Sequence, residues 1–112
     1  MAINVERGKP VFDNIKAGLA GPAIKPIALR MVYDLCSKIK TLPPKEQIPV
    51  IGLGGIANWI DAVEFIMAGA SGVAVGTANF INPKATIDVL EGIVEYCQRY
   101  NLSSLEEIRG II

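Results

Sequence analysis

Val50–Trp59, VIGLGGIANW, is the segment on which the fold turns. An apolar run enters Gly52-Leu53-Gly54-Gly55, and a helix-forming stretch follows at once. Two physical demands put glycines at such a strand-to-helix junction. One is a backbone that must come close to a phosphate, so that bare amides face it. The other is a tight turn whose conformation a side chain would obstruct, with no ligand involved. The run Ile48–Leu53 holds almost no polar residue, which suits a strand covered on both faces in a parallel sheet.

Working outward, Asn58 is placed to cap the next helix. Trp59, Val63, Ile66 and Met67 share one face of that helix, and Gly69 is expected just past its end. Val73-Ala74-Val75 reads as a second buried strand, ending in Gly76-Thr77. Asn82-Pro83 then reads as N-cap and first residue of a third helix, with Ile87, Leu90, Val94 and Cys97 as its apolar face. Ser103 and Glu106 have capping-box spacing before a short last helix. On the other side of the glycines, Ala28, Val32, Leu35 and Ile39 mark one face of a helix from Pro22 to about Lys40. Pro26 belongs in its first turn, and Leu42-Pro43-Pro44 stops it. Gly18, Gly21 and Pro22 form a loop before it. Met1–Val5 reads as the end of a strand, and Glu6–Pro10 as a turn. Strands alternating with helices imply an α/β fold with a parallel sheet and right-handed crossovers.

The chain of 112 residues is long enough for one small domain. It is 51% hydrophobic and 20% charged, a globular balance. Eleven basic and eleven acidic residues cancel, so no electrostatic footprint for nucleic acid is expected. No apolar run reaches the roughly 18 residues of a membrane span, and no signal-peptide pattern is seen at the N-terminus. The expected location is a reducing cytoplasm, with Cys36 and Cys97 as small helix residues. The chain holds no histidine. That removes Ser-His-Asp and Cys-His nucleophile schemes and most catalytic zinc sites, and no metal site is expected.

Gly52, Gly54 and Ala57 fit the G-x-G-x-x-G/A pattern of dinucleotide-binding folds. That pattern also needs an acidic residue about 20 positions on, at the end of the next strand. The residues there are VAVGTANF, with no Asp or Glu. A different arrangement fits better. Consecutive parallel strands end in Gly54-Gly55 and Gly76-Thr77, and adjacent strand ends lie roughly 5 Å apart. Their amides, with a following helix N-terminus, can surround one phosphate, as the last two strands of a (β/α)₈ barrel do. No Lys or Arg lies between Val50 and Pro83, so such a site relies on amide dipoles and the Thr77 hydroxyl.

Three stretches, GLAGPAIKPIALRMVYDL, PVIGLGGI and FIMAGASGVAVGTANFINP, closely resemble the C-terminal part of dihydroorotate dehydrogenases. GPAIKP together with VGTANF resembles the NAD-linked type B class in particular. The resemblance covers roughly Met1 to Gly92 and implies the last three βα units of an FMN-binding (β/α)₈ barrel. It implies FMN-dependent oxidation of dihydroorotate to orotate in pyrimidine biosynthesis. It also implies a partner subunit carrying FAD and an iron–sulfur cluster. By position, Gly21 would contact FMN, and Gly54, Gly55, Gly76 and Thr77 would hold its phosphate.

There are departures from the family pattern. Ala17-Gly18-Leu19-Ala20-Gly21 stands where the family usually has Gly-Gly-Leu-Ser-Gly, and Asn4 where it often has Asp. A complete barrel needs about 250 residues. The family's catalytic cysteine, the lysine near the flavin ring and the asparagines that bind orotate lie upstream of the matched part, and Met1 aligns within or just after the sixth strand. No catalytic residue is therefore assigned here, and Cys36 and Cys97 are expected on the outer helices. Two other readings compete. In one, the chain is a catalytically inert half-barrel that binds phosphate or FMN weakly and self-associates into a homo-oligomer through open sheet edges. In the other, a barrel uses the same phosphate site for a different metabolite, against which GPAIKP speaks. Lys25 reads as a solvated lysine, and Asn79 and Asn82 as turn-shaping residues.

Overall fold

A computed structural model describes all 112 residues, Met1–Ile112. The chain begins with a small antiparallel hairpin, β1 (Ile3–Asn4) against β2 (Lys9–Pro10). The turn between them is held by the Arg7 amide donating to Asn4 Oδ1 at 3.0 Å. The expected N-terminal strand thus exists, but it pairs with residues read as turn and lies outside the parallel sheet. Pro10 is tolerated there because an edge strand needs no inward N–H.

A loop and a 3₁₀ turn, Pro22–Ile24, lead into α1 (Lys25–Ile39), with Pro26 in its first turn as expected. The central unit is β3 (Ile51–Leu53), α2 (Trp59–Met67) and β4 (Gly72–Ala74). The strands run parallel, Gly52 opposite Val73. Asn58 caps α2 by accepting from the amides of Ile60 and Asp61. Gly69 follows the helix with φ +112°, the left-handed exit that favours glycine. A short helix α3 (Ala78–Ile81), a long one α4 (Ala85–Arg99) and a 3₁₀ turn (Leu105–Glu107) complete the chain.

The core forms where α1, α2 and α4 cover one face of the strands. Phe65 is fully buried among Val32, Cys36, Ile56 and Val89. Gly52 is what admits it: a Cβ there would lie 2.6 Å from the ring. The opposite strand face is open, with Ile51 60% and Leu53 63% exposed. Covering on both faces, expected from the apolar run, is therefore not observed. The helices of a βαβ unit lie on one side only, and a short segment cannot say which side has company. The radius of gyration is 17.2 Å, where a compact chain of this length has about 13 Å. The molecule is a slab of 56 × 34 × 19 Å.

Four further expectations need correction. The buried face of α1 runs through Val32 and Cys36, while Leu35 is exposed, so Cys36 is a core residue. On α4 the buried residues are Ala85 and Val89, whereas Ile87, Leu90 and Val94 are 53%, 57% and 47% exposed. The helix carries two apolar stripes, and the one that faces the core runs through Ala85, Val89, Ile93 and Tyr96. Gly92 belongs to it, pressed so tightly on Trp59 that a Cβ would come 2.4 Å from the indole. Asn82 ends α3 instead of starting α4. Its Oδ1 accepts from the Lys84 amide and its amide nitrogen donates to Asp88. The last capping box is Ser104 with Glu107, one residue later than the Ser103–Glu106 spacing suggested.

Candidate functional site

The C-terminal ends of β3 and β4 open into a cavity of about 380 Å³. Gly21, Gly54, Gly55, Gly76 and Thr77, the five residues singled out from sequence, all line it. Three loops deliver them: the turn before α1, the turn between β3 and α2, and the turn between β4 and α3. The four-residue helix α3 after the last strand is the kind of extra helix found at barrel phosphate sites.

The turns approach one another closely. A Cβ on Gly55 would lie 2.8 Å from the Gly21 carbonyl oxygen and 2.9 Å from the Lys25 amide nitrogen. Gly55 also has φ +76° and Gly54 φ +126°, with Ala28 Cβ 2.7 Å from where the Gly54 Cβ would stand. The chain itself therefore demands these two glycines. Gly76 is different. Its φ is not positive, and a Cβ there would meet nothing within 4 Å. Chain geometry gives no reason for a glycine at that position, which lies on the cavity wall.

The amides of Gly54, Gly55, Gly76 and Thr77 donate no hydrogen bond within the chain. The Thr77 hydroxyl caps no helix. No titratable side chain lines the cavity. The wall thus offers unpaired donors and apolar surface, a combination suited to an anion with an organic body, and its side chains supply no general acid or base. Asn79 donates from its amide nitrogen to the Val75 carbonyl at 3.0 Å and accepts from Thr86 Oγ1, which fixes the Thr77 turn against α4. Asn79 shapes the turn, as expected, whereas Asn82 ends α3 and also lines the cavity.

Behind the wall lies a cluster not found from sequence. Lys25 Nζ sits 2.6 Å from Asp61 Oδ1 and 2.8 Å from Glu64 Oε2. Asp61 Oδ2 also accepts from the amides of Ala57 and Asn58. Burial pushes the Asp61 carboxyl upward, but the Lys25 ammonium and the two amides together hold it below its ordinary value. The hydrogen bond to Asp61, with that to Glu64, raises the Lys25 ammonium. Lys25 is thus neither solvated nor a cavity residue. The signal available was Asn58-x-x-Asp61, the spacing of a capping box with an acid at its third helical position.

Comparison with known proteins bears on this site. The family model described as dihydroorotate dehydrogenase matches residues 1–96. The catalytic subunit of dihydroorotate dehydrogenase B (NAD(+)) from Alkaliphilus metalliredigens is 56% identical over 110 residues, covering 98% of this chain and 34% of its own length. The same subunit from Petrotoga mobilis is 55% identical over 112 residues, covering 100% of this chain and 35% of its own. The chain spans about a third of the length of the curated relatives it matches. Among solved structures, Eimeria tenella DHODH in complex with ferulenol superposes with a TM-score of 0.73 at 25% identity, over 86% of this chain and 24% of its own. Its ligand-free form gives 0.74 at 23% identity, over 95% and 28%.

Proposed function

The chain belongs to the dihydroorotate dehydrogenase family, and from that premise we propose that its cavity is the phosphate end of an FMN site. On this reading the 112 residues are the last βα units of a (β/α)₈ barrel. The complete barrel oxidises dihydroorotate to orotate in pyrimidine biosynthesis, in the cytoplasm, and passes electrons to a flavin and iron–sulfur partner subunit. No helix of the chain is long and apolar enough to cross a membrane.

The observation that carries the reading is Gly76. Its bare Cα lines the cavity although nothing in the chain presses on it, so a Cβ there would take up room that a ligand needs. Bound FMN supplies a ring that accepts hydride. The residues present serve the other end of it. The amides of Gly54, Gly55, Gly76 and Thr77 bind phosphate oxygens, Thr77 Oγ1 adds a donor, and the Gly21 turn lets the cofactor approach the backbone. Dihydroorotate deprotonation falls to residues outside the matched part.

Titration of the chain with FMN and with riboflavin, followed by flavin fluorescence, tests this. Saturable micromolar binding of FMN, with riboflavin at least about tenfold weaker, is expected because a hydrogen bond to a charged group is worth about 1.5 kcal/mol or more. Equal affinity, or no binding by the folded chain, would overturn it.

The open sheet face favours a second reading beside the first. Ile51 and Leu53 project from β3 with no cover on that side. The chain alone is then inert in turnover, binds FMN weakly and buries this face against another copy. Sedimentation at increasing concentration decides: a monomer throughout removes this reading.

A further inference from the structure

We infer that Lys25 and Asp61 are positioning residues that lock the Gly21 loop onto the Gly54–Ala57 turn and so hold the spacing of the cavity. The inference rests on the FMN-phosphate reading and assigns the site a support that lies outside its lining.

The geometry is a brace with two ends. At one end, Asp61 Oδ2 accepts from Ala57 at 2.9 Å and from Asn58 at 3.1 Å, which fixes the turn directly after Gly55. At the other end, Asp61 Oδ1 holds Lys25 Nζ at 2.6 Å. Lys25 is the first residue of α1, and its own amide donates to Pro22 O, closing the turn that presents Gly21. A single carboxylate thus ties the second loop of the cavity to the first. The loops meet at Gly55, where even a methyl group would collide with Gly21 O and Lys25 N. That contact tolerates no slack, so the relative position of the loops needs a rigid tie. The Asp61 side chain is one-tenth exposed and that of Lys25 one-quarter, so solvent does not replace the bonds.

Charge does not explain the cluster. Lys25, Asp61 and Glu64 sum to one negative charge, which works against an anion nearby. What the cluster contributes to phosphate binding is therefore geometry. Lys25 lies four positions after Gly21, yet its ammonium is paired to two carboxylates and it does not line the cavity.

The test is Lys25→Met with Glu64→Gln. The double variant keeps the net charge of the cluster at one negative and leaves Asp61 capping α2, but the tie to α1 is cut. FMN affinity is expected to fall about tenfold while riboflavin affinity stays unchanged, the loss of one charge-assisted contact's worth of alignment. A structural role alone would shift both flavins together or lower only the melting temperature. Wild-type discrimination between FMN and riboflavin in the double variant would overturn the inference. Amide hydrogen exchange of the ligand-free chain gives a second readout. Residues 21–25 and 54–58 should exchange faster together, with protection at Phe65 and Val89 retained. If 21–25 exchange as in wild type, the brace is refuted. If wild type itself does not distinguish FMN from riboflavin, the flavin reading fails, and the exchange result alone decides the brace.

Discussion

The two strand ends of the central βαβ unit look alike in sequence, Gly54-Gly55 after β3 and Gly76-Thr77 after β4, yet the fold treats them oppositely. At the end of β3 the glycines are compulsory. Both have positive φ, and backbone or Cβ atoms of α1 and its preceding turn occupy the space a side chain would need. At the end of β4 the glycine has an ordinary φ and open space beside it. A glycine at the first end says that chain segments meet. A glycine at the second, on a cavity wall with unpaired amides, leaves the room that the proposed ligand would use. Of the two explanations offered for VIGLGGIANW, the tight turn accounts for Gly54 and Gly55, and the approach to a phosphate is the proposal that Gly76 carries.

The largest way to sharpen that contrast is Gly55→Val. Strain at φ +76° and collision with Gly21 O together exceed about 3 kcal/mol. For a small domain that is a large share of total stability. Thermal melts followed by circular dichroism should show loss of the cooperative transition. A variant that melts like wild type would mean that the two loops are not in contact.

Next in size is Asp61→Ala, which removes the brace and cap at the β3 end only. A loss of about 2 kcal/mol is expected, from one capping interaction and one charge-assisted bond. Its pH dependence follows from the signs. Asp61 is depressed in the folded chain, so its stabilisation is present above the unfolded value of about 3.9 and is lost as pH falls through the folded one. Lys25 is raised, so its part is present below about 10.4 and is lost as pH rises through the folded value. Chemical denaturation of wild type and variant should differ by a constant amount between about pH 5 and 10. The difference should shrink toward both extremes. A difference that grows on acidification would refute the ion pair.

The same contrast shows how much could be read from sequence. Local signals carried well: Asn58 as a cap, Gly69 as a helix exit, Pro26 in a first turn, and the strand–helix–strand order. Each depends on the chemistry of one or two neighbouring residues. Gly54, Gly55, Gly76 and Thr77 were legible because strand ends in a parallel sheet necessarily open on one side, whereas Gly21, in the turn before α1, was reached only through the family resemblance of GPAIKP. Questions of phase and company were not legible. On α4, two apolar stripes of similar character compete, and the one through Ile87, Leu90 and Val94 was chosen although Gly92 and Tyr96 of the other are what pack on Trp59. Leu53 looks like a buried strand residue by type, and only the placement of α1 and α2 leaves it bare. Lys25 looked solvated because its partners lie 36 and 39 positions away, beyond any local pattern.

At the β4 end, Gly76→Ala separates the ligand's demands from those of the fold. Stability should change by less than about 0.5 kcal/mol, since alanine fits the backbone and meets open space. FMN affinity should drop about tenfold, because a methyl group stands between amide and phosphate where a contact was worth about 1.4 kcal/mol. Thermal melts read the first quantity and calorimetric titration with FMN the second, each against wild type. If affinity were unchanged, Gly76 would not adjoin the ligand and the contrast between strand ends would collapse.

Thr77→Val carries the smallest effect and the finest distinction. The hydroxyl makes no helix cap within the chain, so its removal should leave the melting temperature unaltered. Valine keeps the methyl group, whose counterpart on threonine lies 3.7 Å from where a Gly21 Cβ would stand, so the packing of the two loops persists. Only one hydrogen bond to phosphate is lost, worth about 0.5–1.5 kcal/mol, or roughly two- to tenfold in FMN affinity. Riboflavin, which lacks the phosphate, should bind the variant and wild type equally. If Thr77→Val weakened both flavins alike, the hydroxyl would face the ring and not the phosphate, and the orientation assigned to the cofactor would reverse. If it weakened neither, the amides alone would hold the anion, and the β4 end would bind entirely through backbone that Gly76 leaves uncovered.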